Sequence, residues 1–284
     1  LAIALGAAQA LLYVAALALP VWMVRRTPGR GLRADAEIMS RIVRYIVRFG
    51  FWAVLLVGVA DIAVSFLRVE ELLGQVVGEE TASAWGYNAN RAPQLHFPLI
   101  GLALLLAAVT RTFGFQWLAV FVVLAELSIV ISRFVFSYEQ AFQADLVRFW
   151  YGALFLFASA QTLVEDGHVR VDVIYAGLSR KSQGLVNTIG CLVMGILFCW
   201  VILYFGMESK SSTITAPLLA LEITQAGFGM YVKYLMAGFL GIFAITMMVQ
   251  FCAYLLESWA DWRGDPGGTP HHFHGTDGDH VTEV

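Results

Sequence analysis

Long apolar runs separated by short polar connections dominate the chain. Seven of these runs approach or exceed the ~18 residues that are typical of a membrane-spanning helix. They occupy residues 1–24, 49–67, 95–110, 115–136, 147–164, 184–207 and 229–256. The pattern predicts an all-α, polytopic integral membrane bundle of about seven transmembrane helices. The run at 95–110 is the shortest, so a re-entrant hairpin is the alternative to a full span there.

The composition agrees with this class. Of the 284 residues, 59% are hydrophobic and 14% are charged, whereas soluble proteins contain roughly 25% charged residues. A soluble globular domain is therefore excluded. The net charge of −3 is small, and the basic residues lie at the ends of predicted helices, so nucleic acid is not an expected partner. Cys191, Cys199 and Cys252 lie inside apolar runs without CxxC spacing, which favours neither disulfides nor a zinc site.

The basic residues alternate between connections, as the positive-inside rule requires. The first connection contains seven arginines: Arg25, Arg26, Arg30, Arg33, Arg41, Arg44 and Arg48. The next connection has only Arg68 and Arg91, beside four glutamates. The connection at 165–183 is again basic, with Arg170, Arg180 and Lys181. With an odd number of spans, the N-terminus is predicted outside and the C-terminus inside.

Residues 34–48 form an amphipathic segment before the second span. Apolar Ile38, Ile42, Tyr45 and Phe49 recur at helical spacing, while the arginines fall on another face. This pattern favours a helix at the membrane surface whose arginines contact anionic lipids. Docking of a protein is the alternative interpretation.

The polar residues 258–284 are predicted to form a disordered tail. The segment contains four histidines: His271, His272, His274 and His280. No rigid scaffold fixes their geometry, so we do not expect a functional metal site.

Catalytic signatures are absent from the sequence. It contains no GxSxG, HExxH, phosphate-loop or dinucleotide motif, so we predict neither an enzyme nor a cofactor. A haem-carrying membrane anchor needs axial ligands, usually histidines, within its spans. His96 and His168 lie at the ends of predicted spans, which argues against a b-type cytochrome.

Two acidic residues lie deep within predicted spans, where an unpaired charge costs several kcal/mol. Glu126 lies near the middle of the fourth span, and Arg133 follows two turns later on the same face, near the outer end. We expect Glu126 to bind polar groups of a neighbouring helix or a partner subunit; contact with an ion or a solute is the alternative. Asp61 lies closer to the outer end of its span, so local solvation is the favoured interpretation.

The most specific motif lies between the fifth and sixth spans, where residues 165–175 read EDGHVRVDVIY. Gly167 can end the preceding helix, and polar His168, Arg170 and Asp172 alternate with valines. Such alternation suits a segment that lies along the membrane interface. The motif can cap a helix and bind lipid headgroups, it can dock a partner subunit, or it can do both.

This motif resembles the HxRxD signature of the DctQ-like small membrane subunit of tripartite ATP-independent periplasmic (TRAP) transporters. Flanking features are similar as well: Arg133 is followed by an aromatic residue, a polar connection with Asp145 leads into the next span, and serines with Pro217 precede the last span. The resemblance covers about residues 113–257, with four predicted spans.

The sequence departs from the family pattern in residues 1–112, which add three predicted spans to the usual four. We therefore divide the chain into an N-terminal extension at 1–112, a four-span core at 113–257 and the tail at 258–284. The arrangement resembles the longer small subunits of some TRAP systems. The acidic residue that is usual near the start of the second core span is represented at best by Asp145.

The resemblance implies a small scaffold subunit in the bacterial inner membrane, with a periplasmic N-terminus and a cytoplasmic C-terminus. The implied partners are a large DctM-like membrane subunit, which performs sodium-coupled import of an organic acid, and a periplasmic solute-binding protein. No cofactor is implied, because sodium coupling belongs to the large subunit. A self-sufficient carrier or channel and a haem-free respiratory anchor are the alternatives.

Overall fold

The computed structural model describes residues 2–111, 114–165, 175–223 and 229–267, and within these residues the chain is built from helices and their connections. The helices are α1 (Ala2–Arg26), α2 (Leu32–Val69), α3 (Leu73–Val77), α4 (Glu79–Ala84), α5 (Asn88–Val109), α6 (Phe115–Phe136), α7 (Ala141–Val164), α8 (Arg180–Met207), α9 (Thr215–Ala220) and α10 (Lys233–Arg263). A short 3-10 turn, Tyr175–Gly177, precedes α8.

The long helices confirm an all-α polytopic membrane bundle. Six of them are long and apolar enough to cross a bilayer, namely α1, α2, α5, α6, α8 and α10. The predicted span at 147–164 lies in α7, whose 24 residues measure about 36 Å. This helix is long enough to cross, but it is less apolar than the other six. Because α7 is central and buries one face, its polar residues need not contact lipid.

Helix α2 is continuous, which differs from the predicted separate surface segment at 34–48. Its 38 residues measure about 57 Å, far more than the ~30 Å hydrocarbon core. The buried positions recur every three or four residues along the whole helix, from Ala36 to Ser65, with adjacent pairs at 50/51, 57/58 and 64/65. The buried face at 34–48 contains Ala36, Ser40 and Val43, whereas Ile42 is half exposed. The apolar side chains that were predicted to face lipid therefore lie on a different face of α2 from the residues that the bundle buries.

Aromatic side chains from α2, α7 and α10 fill the centre of the bundle. Phe149, Phe157 and Phe51 are enclosed, and Phe239 of α10 is almost so. The ring centroids of Phe149 and Phe239 are 5.2 Å apart, and those of Phe157 and Phe239 are 5.1 Å apart. Edge and tilted ring pairs at these separations are attractive beyond the area they bury. The three helices therefore form the rigid centre of the fold.

The helix ends form two groups, one on each side of the bundle. At one side, Asp261 near the end of α10 contacts Arg33 at the start of α2 and Arg180 at the start of α8; we call this side the Asp261 end. At the other side, Asp61 of α2 contacts His96 of α5 and the segment before α10; we call this side the Asp61 end. The long helices therefore alternate in direction.

The two ends of the chain differ from the core in packing. The described side chains of α1 are exposed, and none of them is buried against the bundle. Helix α10 continues to Arg263 and ends at Gly264, which has a left-handed φ of 79°. The helix therefore extends into the segment predicted as a disordered tail at 258–284. Residues 268–284 lie outside the described part of the chain.

Candidate functional site

Asp61 is fully buried, which corrects the expectation of local solvation. Its Oδ1 lies 3.0 Å from Nε2 of His96 and 3.3 Å from Nη1 of Arg91. Its Oδ2 accepts a hydrogen bond of 2.7 Å from the backbone N–H of Tyr231. Asp61, Arg91 and His96 all have side chains with 0% exposure. We call these residues, with Tyr231 and Tyr234, the Asp61 cluster.

His96 links Asp61 to α10. Its Nδ1 lies 2.9 Å from the hydroxyl of Tyr234, and the two rings are stacked. Both ring nitrogens can be satisfied here, because Nδ1 can accept a hydrogen bond from the Tyr234 hydroxyl while Nε2–H donates one to Asp61. The sequence placed His96 at the edge of a predicted span. The structure instead places it inside helix α5 and encloses it in the bundle.

Arg91 supplies the positive charge of the cluster. The guanidinium carbon lies 4.4 Å from the centroid of the Tyr231 ring, and the Tyr231 hydroxyl donates to the carbonyl of Gly86. No guanidinium nitrogen of Arg91 has a hydrogen-bond partner within the described residues. An ion pair and a cation–π contact therefore hold this side chain.

A wide helical turn brings Arg91 and His96 to the same carboxylate. Five residues separate them, which corresponds to ~140° around a regular α-helix. The turn Ala92–His96 is π-helical, and such turns bond residues five apart. Pro93 and Pro98 lack the N–H that regular turns would need here. The proline pair therefore favours the turn that aligns the two basic side chains.

Asp145 is a second buried acid at the same end of the bundle. Its Oδ2 accepts a hydrogen bond of 3.0 Å from the backbone N–H of Met230, and its Oδ1 lies 3.5 Å from Arg148. Asp145 and Asp61 thus accept hydrogen bonds from two consecutive backbone amides, those of Met230 and Tyr231 respectively. Two carboxylates on different helices hold the chain where it enters α10, close to the positive end of that helix.

The connection between α6 and α7 is tied to the end of α2. The hydroxyl of Tyr138 donates a hydrogen bond of 2.7 Å to Oε1 of Glu70. Burial and this hydrogen bond, together with the charge of Glu70, raise the pKa of Tyr138 to about 12. The neutral hydroxyl is the form that bonds the carboxylate.

The Asp261 end contains a second polar group. Asp261 Oδ1 accepts from Arg33 Nη2 at 2.9 Å and from Arg180 Nη2 at 2.8 Å. Arg33 also donates to the carbonyl of Asp265. One carboxylate therefore joins α2, α8 and α10, and it forms charge-assisted hydrogen bonds with two arginines.

The signature residues His168, Arg170 and Asp172 lie outside the described residues, because 166–174 are not among them. Their roles stay predictions. The basic residue nearest to them that the structure describes is Arg180, which contacts Asp261.

Glu126 and Arg133 lie on the outer surface of α6. Arg133 Nε lies 3.3 Å from Oε2 of Glu139, and both side chains are more than half exposed. Glu126 is exposed near the middle of α6. The structure thus separates the two acids identified from the sequence: Asp61 is enclosed with partners, and Glu126 faces outward.

The sequence did not indicate that Arg91 would pair with Asp61 or that Tyr234 would contact His96. The proline pair at 93 and 98 is the signal that could have indicated an irregular turn in α5. No sequence pattern indicated that Tyr231 and Tyr234 would meet α2.

The fold and its polar groups define a multi-pass membrane subunit. Its charged groups at helix ends and in the interior join helices to each other. A family model described as "Tripartite ATP-independent periplasmic transporters, DctQ component" matches residues 120–261, half of the chain. The chain belongs to this family and is the DctQ component, the small membrane subunit, of a TRAP transporter. The match lies within the core expected at 113–257 except for its last four residues. No curated protein and no solved structure matches the chain.

Proposed function

We propose that this chain is the stationary scaffold against which the large TRAP subunit moves an organic acid and sodium. The observation that carries the proposal is the pairing of the buried charges. Asp61 is neutralised by Arg91, and Asp145 lies beside Arg148 and a backbone amide. These groups join helices, so they are not available to bind a solute.

The largely apolar interior supports the same proposal. A crevice of about 340 Å³ lies between α2, α5, α9 and α10, and its lining side chains carry no charge. An organic acid would lose its hydration there without gaining a polar partner. Solute selection therefore belongs to the large membrane subunit and to the solute-binding protein.

A rigid bundle suits a stationary role. Alternating access in many transporters moves one group of helices against a fixed one. The aromatic centre formed by α2, α7 and α10 packs the N-terminal extension onto the family core. In this proposal, the extension widens the fixed part of the complex.

We place the subunit in the bacterial inner membrane with the Asp261 end in the cytoplasm. The arginine-rich residues 25–48, which end α1 and begin α2, lie at this end together with Arg180 and Lys181, in agreement with the positive-inside rule. The Asp61 end then faces the periplasm, the N-terminus is periplasmic and the C-terminus is cytoplasmic. Exposed Arg41 in α2 is available to contact anionic lipid headgroups.

Proteoliposomes provide the test of this function. The subunit is reconstituted alone, with the large TRAP membrane subunit of its system, and with both that subunit and the binding protein. We expect sodium-driven uptake of an organic acid only with all three components. Uptake by the isolated chain would indicate a self-sufficient carrier and would contradict the proposal.

A further inference from the structure

Glu126 lies at the middle of a membrane helix and faces outward. Helix α6 has 22 residues, so Glu126 is ~16 Å from either end. Its side chain is exposed. Within the described residues, no hydrogen bond or ion pair reaches its carboxylate. The position is too deep for a short glutamate side chain to reach either surface.

The residues around Glu126 form an exposed stripe on α6. Val123, Glu126, Val130 and Arg133 follow each other at spacings of three and four, and we call them the Glu126 stripe. Val123 is 66% exposed and Val130 is 49% exposed. Arg133, the one cation of the stripe, already pairs with Glu139. It also lies about 10 Å along the helix from Glu126.

An exposed carboxylate at this depth is unfavourable in lipid. Insertion scales assign several kcal/mol to a charged residue at the centre of a spanning helix. The chain satisfies its other deep acid, Asp61, with an arginine and a histidine. Because no such group lies near Glu126 within the described residues, we look for its partner outside the chain.

We propose that the Glu126 stripe docks a membrane helix of the large TRAP subunit, which presents an arginine or lysine to Glu126. This inference rests on the proposed function and names the surface through which it acts. We choose a partner helix with an arginine or lysine because its positive charge would complement the negative charge of Glu126. Helix α6 packs mainly on α7, so its outer face is open to a partner.

A second copy of the chain is a poorer occupant than the large subunit. In a symmetric dimer the same patch meets itself, which places two Glu126 carboxylates close together. Both copies share one orientation in the membrane, so Arg133 of one copy stays about two turns from Glu126 of the other. Like charges at close range in a low-dielectric medium repel.

Variants of Glu126 test the inference in the intact complex. The tagged subunit is coexpressed with the large subunit, and the copurified amount of the large subunit is measured. We expect Glu126→Leu and Glu126→Lys to reduce copurification by about tenfold or more, because truncating a buried charge pair is costly. Glu126→Gln, which can still accept a hydrogen bond, should lose less. Leu124→Ala is the matched control, since Leu124 lies at the same depth on the other side of α6.

Two further measurements show whether loss of copurification reflects a lost contact: the stability of the isolated variant, and its rescue by a second substitution in the large subunit. Glu126→Leu should leave the yield and unfolding temperature of the isolated subunit at or above the wild-type values, since leucine suits a lipid-facing position. An acidic substitution at one basic position in a membrane helix of the large subunit should restore copurification of Glu126→Lys. Normal copurification of both Glu126→Leu and Glu126→Lys overturns the inference.

Photo-crosslinking identifies the occupant directly. A photoreactive residue at Val123 should crosslink to the large subunit, whereas one at Leu124 should not. Crosslinks between two copies of this chain, or crosslinks to lipid alone, overturn the inference but leave the proposed function intact. If the wild-type chain fails to copurify with the large subunit at all, the proposed function fails first.

Discussion

Asp61 is the residue on which the junction between α2, α5 and α10 depends. Its carboxylate accepts a hydrogen bond from the backbone N–H of Tyr231, forms an ion pair with Arg91 and contacts His96, and all of these groups are enclosed. A buried pair is not a large net source of stability, because both ions lose their hydration. Removing one partner is costly, since it leaves the other charge buried alone.

We expect Asp61→Ala to destabilise the isolated subunit by roughly 3–5 kcal/mol, the usual cost of leaving one buried charge unpaired. The measurement is chemical unfolding in detergent micelles. Glu80→Ala is the control, because Glu80 lies exposed in α4. Combining Asp61→Leu with Arg91→Met should cost less than Asp61→Leu alone. Equal stability of Asp61→Ala and the control would contradict a joining role for the cluster.

The raised pKa of Tyr138 predicts that the subunit becomes less stable at high pH. Its pKa in the fold is about 12, above the ordinary value of 10.0. The raised pKa means that the neutral hydroxyl stabilises the fold below pH 10, and that this contribution is lost as the pH rises from 10 to 12. We expect Glu70→Gln to lower the pKa of Tyr138 towards its ordinary value. The difference in phenolate absorbance between each chain and its Tyr138→Phe variant measures this pKa.

At the scale of elements, α8 and α10 pack closely at a glycine. A Cβ added at Gly184 would lie 2.7 Å from the backbone oxygen of Ser258 and 2.7 Å from the backbone nitrogen of Trp262. Backbone atoms of a helix cannot move aside as the end of a side chain can. The contact therefore requires glycine and sets the distance between the two helices.

We expect Gly184→Ala to destabilise the subunit by about 1–3 kcal/mol, the usual cost of an overpacked contact. Gly190→Ala in the same helix is the matched control, since a Cβ at Gly190 would meet nothing within 4 Å. Alanine is the better helix former, so the control should be neutral or slightly stabilising. Thermal unfolding in detergent compares the two variants, and equal effects would argue against the close approach.

At the scale of the whole molecule, the direction of the helices predicts which loops face each compartment. Glu79 lies beyond α2 at the Asp61 end, and Gly29 lies before α2 at the Asp261 end. In a chain without its native cysteines, Glu79→Cys should react with a membrane-impermeant thiol reagent from the periplasm. Gly29→Cys should react only after the cytoplasmic side is opened. Labelling of Glu79→Cys from the cytoplasm alone would invert the proposed orientation.

The signature at 165–175 predicts a role in the assembled transporter. We expect Arg170→Ala and Asp172→Ala, alone and together, to reduce copurification with the large subunit or uptake in proteoliposomes. The affinity of the binding protein for its solute should stay unchanged, because captured solute arrives across ~30 Å of hydrocarbon from this side. Normal assembly and uptake in all three variants would leave only a lipid-headgroup role for the motif.

The positions of the spans and the family could be predicted from the sequence. Which face of each helix packs inward was harder to predict. Length and apolarity of a run are local properties, and they locate the long helices well. At 34–48, Ile42 stays half exposed, as a lipid-facing position requires, while small residues such as Ala36 and Ser40 pack inward. Close helix packing in membranes favours small residues, so hydrophobicity alone does not identify the inner face.

The sequence by itself determined an all-helical membrane subunit, the approximate positions of its spans and its place in a transporter family. It led to local solvation being expected for Asp61 and polar partners for Glu126, since each is a lone acid in an apolar run and only its distance from the end of the span could be read. Only the tertiary structure decided that Asp61 is enclosed and that Glu126 is exposed. The physical reason is that the partners of Asp61 come from a wide turn in α5 and from the chain entering α10. Those segments are distant in sequence and meet only when the helices pack.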